Sequence, residues 1–578
     1  MQRAIRDHPF AFIRDFATRW DLLALIVALG LVAFLAEASR GLLEPLSQLD
    51  ATPLSLAPVH LPVYAARTTL RMFAAMALSL VFTLSYATWA AKSARAAKLL
   101  IPLLDILQSV PILGFISITV VFFMSLVPGR VLGAEFAAIF AIFTSQAWNM
   151  AFSFYQSLRT VPTELSEAAD SFHLTPWMRF WQLEVPFGLP ALIWNMMMSM
   201  SGGWFFVVAS ESISVGHTSV ALPGIGSYIA LAIQQRDLHA IGWAIATMAL
   251  VILVYDQLLF RPLVGWVDRY RVEQEPGMEP PASWALTMMR RSRLISGLTV
   301  LFYSAVRWTS WASAPHPVLR AEAAKTPPAR WRGWDLLWPA LLLAVVALAL
   351  RKLSQTLFAQ TQLAELRTVG LLGLLTMVRV VVLIVLASLL WVPLGVWIGM
   401  RPRVALWVQP LAQFLAAFPA NLLFPLAVYA IVAWQLDPDV WLSPLMILGT
   451  QWYILFNVIA GASAMPSELR RAAQNLRVRG WLWWRRVALP GVMPYFVTGA
   501  ITASGGSWNA AIVAELASWG STKVRAHGLG AYIADATAAG DFHRIVLGIA
   551  TMCLFVVAIN RLFWRPLYYH AERRYRLT

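Results

Sequence analysis

Charged side chains are scarce in this chain of 578 residues. They make up 13% of it, whereas 59% of the residues are hydrophobic. Soluble domains have about a quarter charged and about half apolar residues, so this composition indicates a membrane protein. Acidic residues number 29 against 45 basic ones. The basic residues stand between long apolar runs rather than on one soluble face, which argues against nucleic acid as a partner.

Cysteine and lysine are also rare. The only cysteine, Cys553, excludes a disulfide framework and a cysteine-rich metal site within the chain. No lysine follows a glycine; the five are Lys92, Lys98, Lys325, Lys352 and Lys523. A phosphate-binding loop that ends in Gly-Lys-Ser/Thr is therefore missing, and the chain is not an ATPase of that kind. We expect no cofactor and no metal in the chain, and no catalytic Ser/His/Asp set is found.

Two long stretches of the chain are copies of each other, 304 positions apart. The copied positions include Pro162/Pro466, Glu164/Glu468, Leu165/Leu469, Ala168/Ala472, Ala169/Ala473, Gly202/Gly506, Trp204/Trp508, Glu211/Glu515 and Gly226/Gly530. A period this long predicts two whole domains joined head to tail rather than a solenoid.

Apolar runs of about 20 residues, the length that crosses a bilayer, recur in both copies. In the first half they fall at 21–37, 64–90, 102–127, 131–157, 187–212 and 240–264. In the second half they fall at 334–351, 370–399, 406–434, 440–461, 491–517 and 544–564. The sequence thus predicts an all-α polytopic membrane protein with about twelve transmembrane helices. Six spans per half give two parallel repeats.

The predicted domains are a first half (1–266), a linker (267–332) and a second half (333–578). The linker contains seven prolines. Its apolar segment 294–306, bracketed by arginines, is either a small packed helix or an interfacial helix on anionic lipid. Basic residues cluster in alternate loops, at Lys92, Arg95, Lys98, Arg401, Arg403, Arg573 and Arg574. Such loops are cytoplasmic, which predicts that both termini are cytoplasmic too.

Two polar segments, 162–186 and 466–490, fall on that same side. Each begins Pro-x-Glu after a span, as helix N-termini do. A pair of short helices there is either a structural cap or a docking site. The net charge is −3 in 162–186 and +5 in 466–490, so we call them the acidic segment and the basic segment. This difference predicts inequivalent contacts with any partner.

Both segments resemble the signature loop of ATP-binding-cassette importer permeases. That loop reads Glu-Ala-Ala, then Gly, then Leu-Pro. It is matched by Glu167-Ala168-Ala169 with Val185-Pro186, and by Arg471-Ala472-Ala473 with Leu489-Pro490. The family Gly falls at His173 and Arg477, and the family Glu at Arg471 in the second copy. Residues 102–111, 410–419 and 224–226 are similar to the nitrate, sulfonate and taurine branch, which includes duplicated anion-transport permeases.

The resemblance implies a type I importer fold in a bacterial inner membrane. It implies two cytoplasmic ATPase subunits that hold ATP and Mg²⁺, a periplasmic substrate-binding protein, and a small anionic solute. The implied ATPase-coupling residues are Glu164, Glu167, Ala168, Ala169, His173, Glu468, Arg471, Ala472, Ala473 and Arg477. The alternative is an ion-coupled secondary transporter with twelve helices, which needs acid or base relays in mid-span.

Polar and small residues within the spans are candidates for the solute pathway. They are Gln108, Asn195, Gly202, Trp204, Glu211, Gly506, Trp508, Asn509 and Glu515. Neutral amides can hydrogen-bond an anion. The Gly-Trp pairs serve close helix packing or line the pathway. The two glutamates fall near the outer ends of their spans, and each is a gate, a docking contact or a solvated helix cap.

Overall fold

The apolar runs of the sequence form long helices. In the computed structural model these are described for residues 54–215, 218–267 and 363–575, with scattered single positions elsewhere. The predicted spans 21–37 and 334–351 lie outside these ranges. So does the linker 267–332 beyond its first residue, including its segment 294–306.

The described part of the first half is almost entirely helical. Its elements are α1 (Leu61–Lys92), α2 (Ala94–Ser109), α3 (Ile112–Leu126), α4 (Val131–Arg159), α5 (Thr163–Ser171), α6 (Pro176–Glu211), β1 (Ser212–Val215), β2 (Thr218–Ala221), α7 (Ile225–Gln235) and α8 (Leu238–Val267). The second half repeats this order.

The second-half elements are α9 (Leu363–Gly399), α10 (Pro402–Ala417), α11 (Ala420–Ala433), α12 (Pro438–Leu448), α13 (Gln451–Ser463), α14 (Ser467–Asn475), α15 (Gly480–Ala514), β3 (Leu516–Trp519), β4 (Thr522–Arg525), α16 (Leu529–Ala539) and α17 (Phe542–Ala571).

Within the described ranges, seven helices are long and apolar enough to cross a membrane. There are nine if each of two bent pairs is counted as one span: α10 with α11, bent by 76°, and α12 with α13, bent by 45°. The all-α polytopic architecture is therefore confirmed.

Several predicted spans are not single straight helices. Span 102–127 breaks between α2 and α3, and span 406–434 breaks between α10 and α11. The cause is Pro111 in one half and Pro419 in the other. Proline lacks the N–H of a helix interior and forces the preceding residue into an extended conformation. Val110 and Phe418 have ψ values of 126° and 128°.

A short hairpin follows the fifth predicted span of each half, where no strand is predicted. β1 pairs antiparallel with β2, and β3 with β4. The helix predicted over 491–517 accordingly ends at Ala514. π-helical turns are repeated at the same offset as well, at Phe180–Glu184 and Trp484–Ala488. The duplication thus extends to irregular details of the backbone.

The two halves exchange helices and share one apolar core. α3 of the first half packs against α15 and α17 of the second, and α10 packs against α6 and α8 of the first. The Ile112 N–H donates to Asn509 Oδ1 at 2.6 Å, and Asn421 Nδ2 donates to the Phe205 carbonyl at 3.0 Å. Neither half is therefore complete without the other.

Candidate functional site

The acidic and basic segments have the same backbone conformation. Helices α5 and α14 are each followed by one residue in the left-handed region, His173 with φ 53° and Arg477 with φ 51°. The Leu174 N–H then donates to the Ala169 carbonyl at 3.1 Å, which closes the helix end in a Schellman motif. The positions where the resemblance expects glycine thus have the conformation that glycine prefers, although neither residue is glycine.

One alanine fixes each short helix to the protein, and the opposite face is open. Ala169 and Ala473 are buried, while the preceding alanines are exposed. Glu164, Glu167, Glu468 and Arg471 are exposed as well. The segments therefore expose the predicted coupling residues except Ala169 and Ala473, which face the protein.

Each segment also exposes a large apolar residue that the sequence motif did not single out. Phe172 is 79% exposed, and Leu476 at the equivalent position is 77% exposed. Trp177 and Trp481 are exposed too. Apolar side chains repeated on a polar surface in both copies are typical of a protein-binding surface.

The acidic and basic segments also differ in their ion pairs. In the acidic segment, Arg179 Nη1 lies 3.2 Å from Asp170 Oδ1, and Lys92 Nζ lies 2.9 Å from Glu184 Oε2. In the basic segment none of the six arginines forms an ion pair with a carboxylate of the described residues: Arg470, Arg471, Arg477, Arg479, Arg485 and Arg486. Its positive charge is therefore available to a partner.

At the other end of α6 lies a buried cluster around Glu211, which we call the Glu211 cluster. Glu211 Oε1 accepts from Arg71 Nη1 at 2.7 Å and from Thr68 Oγ1 at 2.6 Å. Its Oε2 accepts from the Gly226 N–H at 2.6 Å. Arg71 also donates twice to Glu135, both times at 2.6 Å. Helices α1, α4 and α6 are thereby joined to the loop that precedes α7.

The Glu515 cluster repeats this arrangement in the second half. Glu515 accepts from Thr376 Oγ1 at 2.8 Å, from Arg379 Nη1 at 3.2 Å and from the Gly530 N–H at 2.7 Å. Arg379 Nη2 donates to Asp439 at 2.7 Å, as Arg71 donates to Glu135. Two buried charge clusters of one design therefore occupy equivalent places.

The second copy is more open to water. The Arg71 and Glu135 side chains are 3% and 6% exposed, whereas those of Arg379 and Asp439 are 14% and 37% exposed. Exposed His527 replaces Pro223, and its Nδ1 lies 2.8 Å from Asp439 Oδ2. Both Glu211 and Glu515 are buried, so neither is solvated, but each accepts from the first N–H groups of α7 or α16 as a helix cap does. A buried carboxylate has no water to solvate it, so it needs the fixed hydrogen-bond partners that surround Glu211 and Glu515.

Two glycines keep the space that these carboxylates occupy. A Cβ atom on Gly224 would lie 2.3 Å from Glu211 Cδ, and one on Gly528 would lie 2.1 Å from Glu515 Oε2. Any side chain at either position would displace the carboxylate. The glycine-containing stretch 224–226 is thus explained by close approach.

The remaining candidates for the solute pathway are three amide side chains and two Gly-Trp pairs. Gln108 Nε2 donates to Asn149 Oδ1, and Asn195 Nδ2 donates to Ser153 Oγ, both at 2.8 Å. Asn509 binds the start of α3, as described above. These amides are partly accessible within the spans.

The two Gly-Trp pairs pack closely. Trp204 and Trp508 are fully buried, and the Trp204 ring contacts Tyr255 of its own half. Gly202 lies near the Tyr453 hydroxyl, and a Cβ on Gly506 would be 2.4 Å from Thr450 Cγ2. These contacts favour the packing interpretation; a role in the pathway stays a prediction.

Outside the membrane-spanning helices, burial raises the pKa of two equivalent phenols, Tyr228 and Tyr532. Burial, and secondly a hydrogen bond from its hydroxyl to Glu365 at 3.0 Å, raise the pKa of Tyr532. Tyr228 at the equivalent position donates to the Leu56 carbonyl at 2.9 Å. Both phenols therefore stay protonated. Tyr532 fixes α16 to the first turn of α9, and Tyr228 fixes α7 to the chain before α1.

A family model described as "binding-protein-dependent transport system inner membrane component" matches residues 79–261 and, a second time, residues 391–577. The two matches cover more than half of the chain. The chain belongs to this family. Each match contains one of the polar segments and the glutamate of one buried cluster. Membership confirms two fused permease halves and a multi-pass membrane protein of the transport class.

Characterised members of this transport family resemble the chain over one half's length. A glycine betaine/carnitine transport permease of Listeria monocytogenes is 29% identical over 184 residues, 31% of this chain and 59% of the relative. A bicarbonate transport permease of Synechococcus elongatus is 28% identical over 164 residues, 28% and 56%. A nitrate import permease of Leptolyngbya laminosa is 26% identical over 184 residues, 32% and 62%. The chain spans about three-fifths of these relatives.

Proposed function

We propose that this chain is the permease subunit of an ATP-driven importer of small anions. Two separate ATPase subunits hold ATP and Mg²⁺ and dock on the acidic and basic segments in the cytoplasm, where both termini also lie. A periplasmic binding protein delivers the solute to the opposite face of the inner membrane. Family membership and the missing Gly-Lys-Ser/Thr loop support this division of labour.

One observation carries the mechanism. Helix α6 begins inside the acidic segment and ends at Glu211, and α15 begins inside the basic segment and ends one residue before Glu515. The helices have 36 and 35 residues, so each is about 54 Å long at 1.5 Å per residue. Movement of a docked segment is thereby transmitted along one helix to a buried cluster at the far membrane face.

The buried clusters suit a two-state outer gate. Each joins three helices and a loop by charged hydrogen bonds, which are strong where water is excluded and have few intermediate arrangements. Closure of the ATPases on ATP shifts α6 and α15, and the packing around Glu211 and Glu515 changes between inward-open and outward-open states.

The solute pathway of this proposal uses amides rather than arginines. Arg71 and Arg379 are already bound by carboxylates, so neither is free to bind an anion. The Gln108–Asn149 pair supplies neutral donors close to the junction of the halves, since Gln108 shortly precedes Ile112, which contacts Asn509. Asn195 already donates to Ser153 Oγ and to the Ala191 carbonyl, so it can serve an anion only if one of these bonds opens. Nitrate and bicarbonate appear in the names of two relatives, which supports a small anion.

The two ATPase contacts are unequal in this proposal. The acidic segment neutralises part of its charge internally, whereas the basic segment does not, so one ATPase surface cannot be complementary to both. Either two different ATPase chains dock, or one chain docks with two affinities. Because the halves exchange helices, only the full-length chain is a suitable bait.

Purification of the tagged full-length chain from its native membranes tests the partnership. We expect two ATPase domains with Gly-Lys-Ser/Thr loops per chain, counted by native mass spectrometry, together with ATP hydrolysis by the complex. A double variant, Ala169→Arg with Ala473→Arg, displaces both short helices and should release the ATPases. Retention of the ATPases by that variant would show that they dock elsewhere.

The secondary-transporter alternative makes a different prediction. It requires titratable groups that exchange protons in mid-span, whereas the buried carboxylates described here sit at helix ends and are held by arginine. Solute uptake that is driven by an ion gradient without ATP would support it.

A further inference from the structure

A large apolar cavity opens in the second half between α9, α15 and α17. Its volume is about 910 Å³. Most of its wall is aliphatic or aromatic, and Arg485 and Trp481 of the basic segment lie at one end. The cavity therefore reaches from mid-membrane to the surface on which the basic segment lies.

Three positions in the cavity wall have larger side chains in the first half. Met72 stands where the second half has Val380, Met200 where it has Ser504, and Tyr255 where it has Ile559. Met72 and Met200 are fully buried. The Tyr255 ring contacts Phe260 at 4.8 Å between centroids, as well as Phe73 and Trp204. At these three positions the first half therefore has less room than the second.

Polar groups are few in the cavity wall and lie where a headgroup would lie. Arg485 is exposed, and no ion pair joins it to the described residues. Trp564 also lines the cavity and is 6% exposed. Trp481 and Trp484 have the amphipathic character typical of the membrane interface.

We propose that the cavity binds one anionic phospholipid from the adjacent leaflet. An acyl chain fills the space between α9, α15 and α17, and the phosphate lies against the Arg485 guanidinium. An apolar cavity of this size forfeits dispersion contacts when empty, and a bilayer supplies acyl chains directly at its mouth. This proposal rests on the proposed function in one respect, namely that the adjacent leaflet is the cytoplasmic one.

A lipid bound in this cavity contacts only the second half of the chain. Arg485 belongs to the basic segment, and Leu489 and Pro490, at the start of the membrane part of α15, line the same cavity. The lipid thus stiffens the joint between the basic segment and its long helix, which the first half stiffens with its own side chains.

Native mass spectrometry of the purified full-length chain tests this proposal. The probes are palmitoyl-oleoyl phosphatidylglycerol and the phosphatidylcholine with the same chains. We expect one phosphatidylglycerol to bind several times more tightly than phosphatidylcholine. Arg485→Gln should weaken phosphatidylglycerol binding about fivefold and leave phosphatidylcholine unchanged, as loss of one basic residue near a lipid surface predicts. The control Arg486→Gln removes an adjacent charge that does not line the cavity and should change neither.

A second variant addresses the cavity itself. Ser504→Met with Ile559→Tyr installs the residues of the first half and should abolish the single tight site for both lipids, with the thermal unfolding temperature unchanged or raised. If this variant fails to fold, Val380→Met alone should still weaken both lipids. Equal binding by wild type, Arg485→Gln and the filled variants would overturn the proposal. Absence of any tight lipid site in the wild type would also overturn it and indicate that the apolar segment 334–351 fills the space.

Discussion

Arg71 and Glu211 are 140 residues apart in the sequence, and their side chains meet at 2.7 Å in a site from which water is excluded. The same pair recurs as Arg379 and Glu515. A buried ion pair stabilises only while both partners and their hydrogen bonds are present. These pairs therefore tie together helices that are distant in sequence at one end of each half.

Removal of the arginine should destabilise the first half more than the second. Arg71→Met leaves Glu135 and Glu211 buried without a cation, and we expect the free energy of unfolding to fall by about 3–5 kcal/mol. Arg379→Met should have a smaller effect, because Asp439 is partly solvated and keeps His527 as a partner. Thermal unfolding of the two variants in the same detergent measures the difference. Equal losses would contradict the unequal burial of the two clusters.

Glycine 224 should not tolerate even a methyl group. Gly224→Ala forces the Glu211 carboxylate out of place, and we expect a loss of about 1–3 kcal/mol, the range for overpacking in a filled site. Gly242→Ala is the matched control, because a Cβ there meets nothing within 4 Å in helix α8. The control should be neutral or stabilising by up to about 1 kcal/mol.

The left-handed residues after α5 and α14 carry a conformational strain that glycine relieves. His173→Gly and Arg477→Gly should each stabilise their short helix by up to about 1 kcal/mol, since the left-handed region costs other residues about 1–2 kcal/mol. Ala168→Gly, within α5, should have the opposite sign. Hydrogen exchange of the α5 and α14 amides measures both effects. Faster exchange in His173→Gly would refute this account of the turn.

The strength of ATPase docking should fall with salt concentration to different extents on the basic and acidic segments. Arg470→Gln with Arg471→Gln removes two positive charges, one half-buried and one exposed, and should weaken ATPase retention at low salt, with little further loss at high salt. Glu164→Gln with Glu167→Gln is the matched change in the acidic segment. Identical salt curves for the two double variants would argue against unequal ATPase contacts.

Much of the fold could be predicted from the sequence, because apolar length and duplication are properties of single segments. The spans near 131–157 and 240–264 appear as helices Val131–Arg159 and Leu238–Val267. The breaks at Pro111 and Pro419 were missed, although proline was visible there. The hairpin strands have four residues each, too few for a recognisable alternation.

The candidate site was only half predictable. The docking helices follow from a local motif, so their residues were found. The partners of Glu211 were not, since nothing local in the sequence links Arg71 to Glu135 or Glu211. One pattern could have found them: a threonine and an arginine three residues apart recur in the apolar spans that contain Thr68-Arg71 and Thr376-Arg379. Charges repeated inside apolar helices indicate a paired and buried site.

Uptake by proteoliposomes that contain the chain with its copurified ATPases and binding protein tests whether the chain is the permease of an ATP-driven importer. Radiolabelled nitrate and bicarbonate, given on the side of the binding protein, are the solutes, and ATP is given on the side of the acidic and basic segments. We expect nitrate or bicarbonate to accumulate only when ATP is present. The double variant Ala169→Arg with Ala473→Arg should not accumulate either solute. Accumulation that follows an imposed ion gradient without ATP would contradict this proposal.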